Sequence, residues 1–501
     1  MTIIRYTPIK EIPKIRETLR ATFKAGVTRP LEWRKHQLYQ LARLAQNEAD
    51  AICDALNKDL SKPRLEVLRT EVGNIVERAT KSAQKLDVWA APEHPDVPDW
   101  QKGWKPTILK APRGTVLIMS PWNYPFILTF QPLIGAIAAG CCAAIKPSEV
   151  SPHLSQLISD LLPKYLDPSA YQIVNGAVPE TTRLLELQWD HIFYTGNGRV
   201  ARILAVAAAK HLTPLALELG GKCPVLVDST YDMDLAAKRI LWGKCNNAGQ
   251  ICVAPDYIIV PRSKQGEFVE GLKKAYKTFF PDSALGASHY GSIVNDSHFN
   301  RLSSLLERTK GEKVTDIIEG RKDAARKRIE PTVVKNVQDG DPLLEEELFG
   351  PILPIIPVDS LDEAFAFINA RPHPLVLYAF TEDPNIKQRR ALCLPFTVCF
   401  VSCKHFIVID ETQSGGLVFN DTFQQLTVDE LPFAGVGESG YGYQVMKYTY
   451  DTYTQLRSSV DIPKEAERSL QLRYPPHGPE AVKALSRAVH LPIPQSALNG
   501  H

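Results

Sequence analysis

What most limits the fold of this chain is the alternation that begins at Thr115, where short apolar runs and helix-patterned segments take turns. Runs at 115–119, 142–146 and 171–174 are interleaved with helical patterns at 126–139 and 151–165. A further run at 191–194 meets the turn Gly196-Asn197-Gly198 and a helical pattern at 199–210. Alternation of this kind predicts βαβ units and a parallel sheet, hence an α/β fold. Beyond residue 252 a second α/β series follows, with strands expected at 257–260, 328–334 and 354–358 and helices at 265–279, 298–308 and 360–370. Upstream, 11–90 reads as helical, because Trp33, Leu38, Leu41, Leu44 and Ala45 recur at three- and four-residue spacing. Between 91 and 112, Pro92, Pro95, Pro98 and Pro106 break that pattern, and an extended bridging excursion is expected.

The stretch Asn246-Asn247-Ala248-Gly249-Gln250-Ile251-Cys252-Val253-Ala254-Pro255 sets a cysteine between a glycine and a proline, on backbone that bends sharply and can present the sulfur at a surface. A thiolate is a strong nucleophile near neutral pH. A cysteine serving as a small core hydrophobe is the alternative. Asn123, in Ser120-Pro121-Trp122-Asn123-Tyr124-Pro125, and Glu218, before Gly220-Gly221-Lys222, join Cys252 in loops expected just beyond strands, where open α/β sheets build sites. An amide donor, a carboxylate and a thiol are the parts of acyl chemistry. The thiolate attacks a carbonyl, the amide and a backbone N–H hold the oxyanion, and the carboxylate activates the water that hydrolyses the thioester. Taken singly, each residue also fits a turn, a surface charge or a core position. Gly196, Gly198 and Ala201 match a glycine-rich dinucleotide turn in form, though no acidic residue stands where that pattern wants one.

Charge narrows the partners. The 58 basic and 56 acidic residues nearly cancel, leaving +2, so no global field points to nucleic acid or an anionic membrane, and a small metabolite is the natural ligand. Nine cysteines without repeated C-x-x-C spacing, and an amino terminus without the apolar core of a secretion signal, lead to the expectation of a reducing compartment, the cytoplasm. No metal is expected.

The chain resembles the aldehyde dehydrogenases over about 31–457. The resemblance is carried by Pro121-Trp122-Asn123-Tyr124-Pro125, Lys146-Pro147-Ser148-Glu149, Leu217-Glu218-Leu219-Gly220-Gly221-Lys222, Gly249-Gln250-Ile251-Cys252, Glu347-Leu348-Phe349-Gly350-Pro351 and Leu431-Pro432-Phe433-Ala434-Gly435-Val436-Gly437. Within that family it is most similar to the class 3 and fatty aldehyde branch, through Trp122-Asn123-Tyr124-Pro125-Phe126, Ala208-Ala209-Lys210-His211-Leu212-Thr213-Pro214 and Cys252-Val253-Ala254-Pro255-Asp256-Tyr257. It implies two Rossmann-like open parallel-sheet domains and a small β bridging element for oligomerisation. The implied boundaries are 1–90 with 113–217 for NAD(P) binding, 218–439 for catalysis, 91–112 with 440–460 for bridging, and 461–501 as a tail. Cys252 would be the nucleophile, Asn123 the oxyanion donor and Glu218 the base. Lys146 and Glu149 would hold the adenosine ribose and Glu347 the nicotinamide ribose, with Phe349 beside the nicotinamide and Gly196 and Asn197 near the pyrophosphate. The activity implied is oxidation of an aliphatic or apocarotenoid-type aldehyde with NAD or NADP. Glu149 disfavours a 2′-phosphate by like-charge repulsion, so NAD is expected.

Three departures stand out. Asn197 replaces the family's usual Ser but still offers a side-chain acceptor to a helix start, so cofactor affinity is expected to shift and not to vanish. The apolar stretch 391–409 intervenes where family members run directly into the next loop, and it holds Cys393, Cys399 and Cys403. It reads as translated non-coding sequence such as a retained intron. A genuine surface extension is the competing reading, and a relative impaired by the insertion is the alternative function. A cysteine hydrolase is weaker still, because the motif loops contain no histidine. At the carboxyl end no run reaches the ~20 apolar residues of a spanning helix. For 481–489 a helix over the active-site mouth or the partner subunit is the leading expectation, and peripheral membrane contact is the alternative. The segment 453–458 resembles the family's terminal strand, which joins a sheet across a dimer, so a homodimer is expected.

Overall fold

Two largely parallel sheets carry the fold in this computed structural model, which describes residues 4–315, 318–387 and 408–494. In chain order the strands are β1 Thr107–Pro112, β2 Thr115–Met119, β3 Cys142–Lys146, β4 Tyr171–Ile173, β5 His191–Thr195, β6 Leu215–Glu218, β7 Pro224–Val227, β8 Tyr257–Pro261, β9 Glu312–Lys313, β10 Lys322–Asp323, β11 Arg328–Ile329, β12 Thr332–Lys335, β13 Ile352–Val358, β14 Val376–Phe380, β15 Gly416–Phe419, β16 Gly440–Tyr441 and β17 Thr454–Ser459. The first sheet runs β16-β6-β5-β2-β3-β4, parallel except for β16, and the second runs β15-β14-β7-β8-β13-β12-β9, parallel except for β9. β2, β3 and β5 are buried at every position, as strands covered by helices on both faces must be.

Register decides where the site can form. In the first sheet the chain builds β2, β3 and β4 to one side, then crosses back to β5 and β6 on the other, so the strand order reverses between β2 and β5. Crevices open at the carboxyl ends of strands beside such a reversal. Met119 pairs with Lys146 on one side and Tyr194 on the other, and Thr195 pairs with Glu218, so four strand ends finish level along one edge.

The helical lead-in forms in pieces, as helices Ile12–Lys24, Leu31–Asn47, Ala49–Leu60, Arg64–Val67 and Gly73–Ala90 with a π-turn over Leu68–Val72. Leu38, Leu41, Leu44 and Ala45 are buried in one core with the first sheet. A second core surrounds the second sheet.

Several sequence expectations are corrected. The strand expected at 328–334 is two strands, because Pro331 has no N–H for a ladder: β11 pairs antiparallel with β10, and β12 pairs parallel with β13. Residues 91–112 are not wholly extended, since Asp99–Lys102 is a helical turn behind Pro98. Gly440–Tyr441, expected in the bridging segment, is the antiparallel edge of the first sheet as β16. The insertion 391–409 lies outside the described residues except at its end, where Val408 is buried and opens the helical turn Val408–Glu411.

Ala90–Ala111 and Gln455–His501 form a separate compact unit. Within it β17 pairs with β1 over residues of this unit, the Trp100 and Trp104 rings meet edge to face at 5.1 Å, and the Asp461 amide donates to the Trp104 carbonyl at 2.7 Å. Among the described residues no helix is long and apolar enough to cross a membrane.

His191, at the start of β5, is buried against the Tyr453 ring at 5.2 Å, and its Nδ1 has no hydrogen-bond partner among the described residues. Burial, with the Arg113 charge adding, pushes its pKa down to about 3. A histidine held neutral binds fewer protons folded than unfolded, so its stabilisation is complete above its unfolded pKa and fades as pH falls toward the folded one. Taking the unfolded pKa as about 6.5, wild type loses about 2 kcal/mol more unfolding free energy than His191→Leu between about pH 7 and about pH 5. Equal losses in denaturant titrations of the two chains refute this.

Candidate functional site

Asn123, Glu218 and Cys252 line two cavities at once, one of about 480 Å³ and one of about 650 Å³. Glu218 is the last residue of β6, and Asn123 lies in the loop between β2 and the helix Ile127–Ala139. Cys252 corrects the expectation of a loop after a strand: it follows the helix Met233–Cys245 and the turn Asn246–Gly249, and precedes β8. The site therefore joins the carboxyl edge of the first sheet to the amino edge of the second.

The turn before Cys252 is conformationally costly. Asn247, Ala248 and Gly249 have φ of 46°, 51° and 76°, three successive left-handed residues. Left-handed backbone costs a non-glycine residue roughly 1 kcal/mol. Side chains hold the turn in place. Gln250 Nε2 donates to the Asn247 carbonyl at 2.9 Å and the Ser292 carbonyl at 3.0 Å, while Gln250 Oε1 accepts from the Val294 amide at 3.0 Å. Only glycine fits at 249, because a Cβ there would lie 2.4 Å from the Gly350 carbonyl oxygen.

Asn123 Nδ2 donates to the Gln250 carbonyl at 3.0 Å, which ties the carboxamide to the cysteine turn and leaves its second N–H for another acceptor. Glu218 is buried, yet neither carboxylate oxygen has a hydrogen-bond partner among the described residues. Burying an unsatisfied carboxyl is expensive, and such groups persist where chemistry uses them. Burial raises the Glu218 pKa well above the ordinary carboxylate range. Cys252 lines both cavities and is half-buried, and desolvation by the surrounding protein pushes its thiol pKa up, with the Glu347 and Glu218 carboxyls adding and the backbone amides of Cys252 and Val253 pulling down. The resting junction thus favours protons on both groups, and a general base at Glu218 suits a carboxyl with raised basicity.

The larger cavity is lined by Lys146, Glu149, Gly196, Asn197, Glu347 and Phe349. Lys146 ends β3 and its Nζ meets Glu149 Oε2 at 2.6 Å. Asn197 caps the helix Gly198–Ala209, its Oδ1 accepting from the Val200 amide at 3.0 Å. A Cβ at Gly196 would lie 2.1 Å from the Tyr194 hydroxyl, so the chain must pass bare at that turn. Glu347 occupies the space a side chain at Gly220 would fill, 2.2 Å from its Cβ position, and burial beside Asp256 pushes its pKa up to about 8. Phe349 meets Trp122 edge to face at 5.3 Å. A donor–acceptor pair for a diol, a bare turn at a helix start and a second carboxyl fit an extended dinucleotide.

The sequence reading missed several supports. Lys222 Nζ bonds Asp256 and the Leu343 and Glu346 carbonyls, and Asp256 accepts from the Leu348 amide at 2.9 Å, which braces the Glu347 loop against the chain after Cys252. Tyr124 donates to Glu66 at 2.7 Å, and Lys62 pairs with Glu71 beneath Asn123. Sequence spacing carries no signal for these pairs, which look like ordinary helix and loop charges.

Against known proteins, the model of the aldehyde dehydrogenase family matches residues 4–459. The chain is 41% identical over 469 residues to the dog protein named aldehyde dehydrogenase, dimeric NADP-preferring, covering 93% of this chain and 98% of that one. It is also 41% identical over 475 residues to mouse aldehyde dehydrogenase family 3 member A2, with 93% and 91% covered. A solved structure of the substrate-bound state of Staphylococcus aureus AldH superposes with a TM-score of 0.84 at 38% identity, over 90% of this chain and 94% of that one.

Asn197→Ala removes the cap of the helix Gly198–Ala209 and lowers unfolding free energy by about 1 kcal/mol, whereas Asn197→Ser changes it by less than about 0.5 kcal/mol. Equal stability of the two variants in denaturant titration contradicts the capping role.

Proposed function

Since this chain belongs to the aldehyde dehydrogenase family and is an oxidoreductase acting on aldehydes, we propose that it oxidises an apolar aldehyde, aliphatic of medium to long chain or apocarotenoid-like, to the carboxylic acid through a Cys252 thioester. One observation carries the reading: Asn123, Glu218 and Cys252 line both cavities, where an aldehyde from one side can meet a dinucleotide from the other.

The Cys252 thiolate attacks the carbonyl carbon, forming the C–S bond, and the free N–H of Asn123 Nδ2 holds the oxygen that becomes negative. A nicotinamide nucleotide bound in the larger cavity would supply the hydride acceptor for the oxidation. Glu218, with no competing hydrogen bond among the described residues, takes a proton from the water that attacks the acyl carbon; the C–S bond then breaks and the acid leaves. Lys146 and Glu149 would hold the adenosine ribose and Glu347 the nicotinamide ribose, with Phe349 on the nicotinamide side and Gly196 and Asn197 on the pyrophosphate side of the same cavity. NAD is favoured, because a 2′-phosphate would meet Glu149. The substrate lies in the smaller cavity, where Tyr124, Leu128, Leu219, Ile251 and Phe433 give an apolar approach to Cys252. Arg78 and Asp429 in the same wall neutralise each other at 3.0 Å. The enzyme works as a homodimer in the cytoplasm, in keeping with the dimeric name of the dog relative and with the six described cysteines, all unpaired.

Purified enzyme reduces NAD with decanal, and Cys252→Ala abolishes both this and ester hydrolysis while remaining folded. Turnover by Cys252→Ala would overturn the covalent mechanism. From propanal to decanal kcat/KM rises by up to about fourfold per methylene, at ~0.8 kcal/mol for each buried CH₂, and a flat series sinks the apolar assignment. Glu149→Gln raises kcat/KM with NADP relative to NAD about tenfold; an unchanged ratio removes Glu149 from cofactor choice.

A further inference from the structure

Lys62 and Glu71 form an ion pair with both side chains fully buried, Nζ to Oε1 at 2.6 Å. Neither residue lines either cavity, so neither touches substrate or cofactor. Burying two charges carries a desolvation penalty that apolar residues of similar volume avoid, so a pair kept in this position calls for a local reason. Its partners supply one. The Lys62 ammonium also donates to the Asn123 carbonyl at 2.9 Å and lies 3.5 Å from the centroid of the Tyr124 ring, which gives each of its three protons a target. The second Glu71 oxygen accepts from the amides of Phe126 at 2.9 Å and Ile127 at 3.3 Å, at the start of the helix Ile127–Ala139. A carboxylate there complements the helix dipole.

The pair thus grips the Asn123 loop at two points, one at Asn123 and one just beyond Tyr124-Pro125. Asn247 Nδ2 takes the same Asn123 carbonyl at 2.9 Å, so the grip extends to the turn that carries Cys252. Glu71 sits in the π-turn Leu68–Val72, where the Gly73 amide reaches back to the Leu68 carbonyl. Such widened turns in a helix are rare and recur at functional sites.

We propose that Lys62 and Glu71 are positioning residues for the Asn123 carboxamide, holding its free N–H where the substrate oxyanion develops. This rests on the reading of Asn123 as oxyanion donor. Misplacement of a reacting group by about 1 Å costs on the order of 10²-fold in rate, so the pair acts on kcat through Asn123 and leaves cofactor binding alone.

A double-mutant cycle on the full chain tests this. The variant Lys62→Met with Glu71→Gln removes both charges and strands neither, and Lys62→Gln with Glu71→Gln, likewise uncharged, is the second variant should the first not fold. The expected result is a fall in kcat of roughly 10- to 100-fold, with KM for NAD and the rate of Cys252 alkylation unchanged. In an Asn123→Ala background, itself slower by on the order of 10²-fold, the same substitutions cost less than about twofold, because coupled residues are not additive. Wild-type kcat in the folded variants overturns the proposal, as does a full, multiplying loss in the Asn123→Ala background. Undiminished kcat in Asn123→Ala alone overturns the oxyanion reading, and the positioning role falls with it.

Discussion

Parallel pairing of β2 with both β3 and β5 is the constraint on which the rest of the structure depends. Backbone donors and acceptors in a buried sheet must find partners, so the register is locked once the strands pair. Locking Met119 between Lys146 and Tyr194 brings the strand ends out level. The loop after β2, the helix cap at Asn197 and the carboxyl of Glu218 then face one crevice without any of them choosing it. Met119 to Asn123 is a reach of four residues, short enough for a loop to carry the carboxamide to the cysteine turn.

The second sheet supplies the thiol, and it does so at a cost visible in the backbone. Two non-glycine left-handed residues, Asn247 and Ala248, a buried Glu218 carboxyl with no hydrogen-bond partner among the described residues and a buried ion pair at Lys62 and Glu71 are each locally unfavourable. They lie around one small volume, while the two large cores on either side carry the stability. The excluded water that raises the Glu218, Cys252 and Glu347 pKa values also strengthens every dipole aimed at a developing charge there. Rigid cores can hold such a strained junction because they are close-packed and do not yield to it.

How far the site could be read in advance differs from residue to residue. Cys252, Asn123 and Glu218 were legible because each combines a reactive side chain with turn chemistry, glycine before, proline after or a strand end. Lys146, Glu149, Glu347 and Phe349 became candidates only together, through motifs and not through spacing. Lys62 and Glu71 were invisible, and Lys222 and Asp256, though within motifs, gave no sign of their pairing, since a charged residue on a helix or in a loop reads as solvated until its partner, far off in sequence, is known. The strand break at Pro331 and the position of Cys252 before β8 were misjudged for a related reason: apolar runs do not announce which neighbour they pair with.

The sequence by itself determined the α/β class and the parallel sheets and singled out Cys252, Asn123 and Glu218 as candidates, because these follow from period, punctuation and residue chemistry along a few neighbouring positions. Only the tertiary structure decided that the three meet between two cavities, that the Glu218 carboxyl has no hydrogen bond among the described residues, and that a buried Lys62–Glu71 pair lies under Asn123. Those are facts of register and burial. They depend on contacts between residues tens to hundreds of positions apart, and local pattern carries no record of which distant charges share the same dry volume.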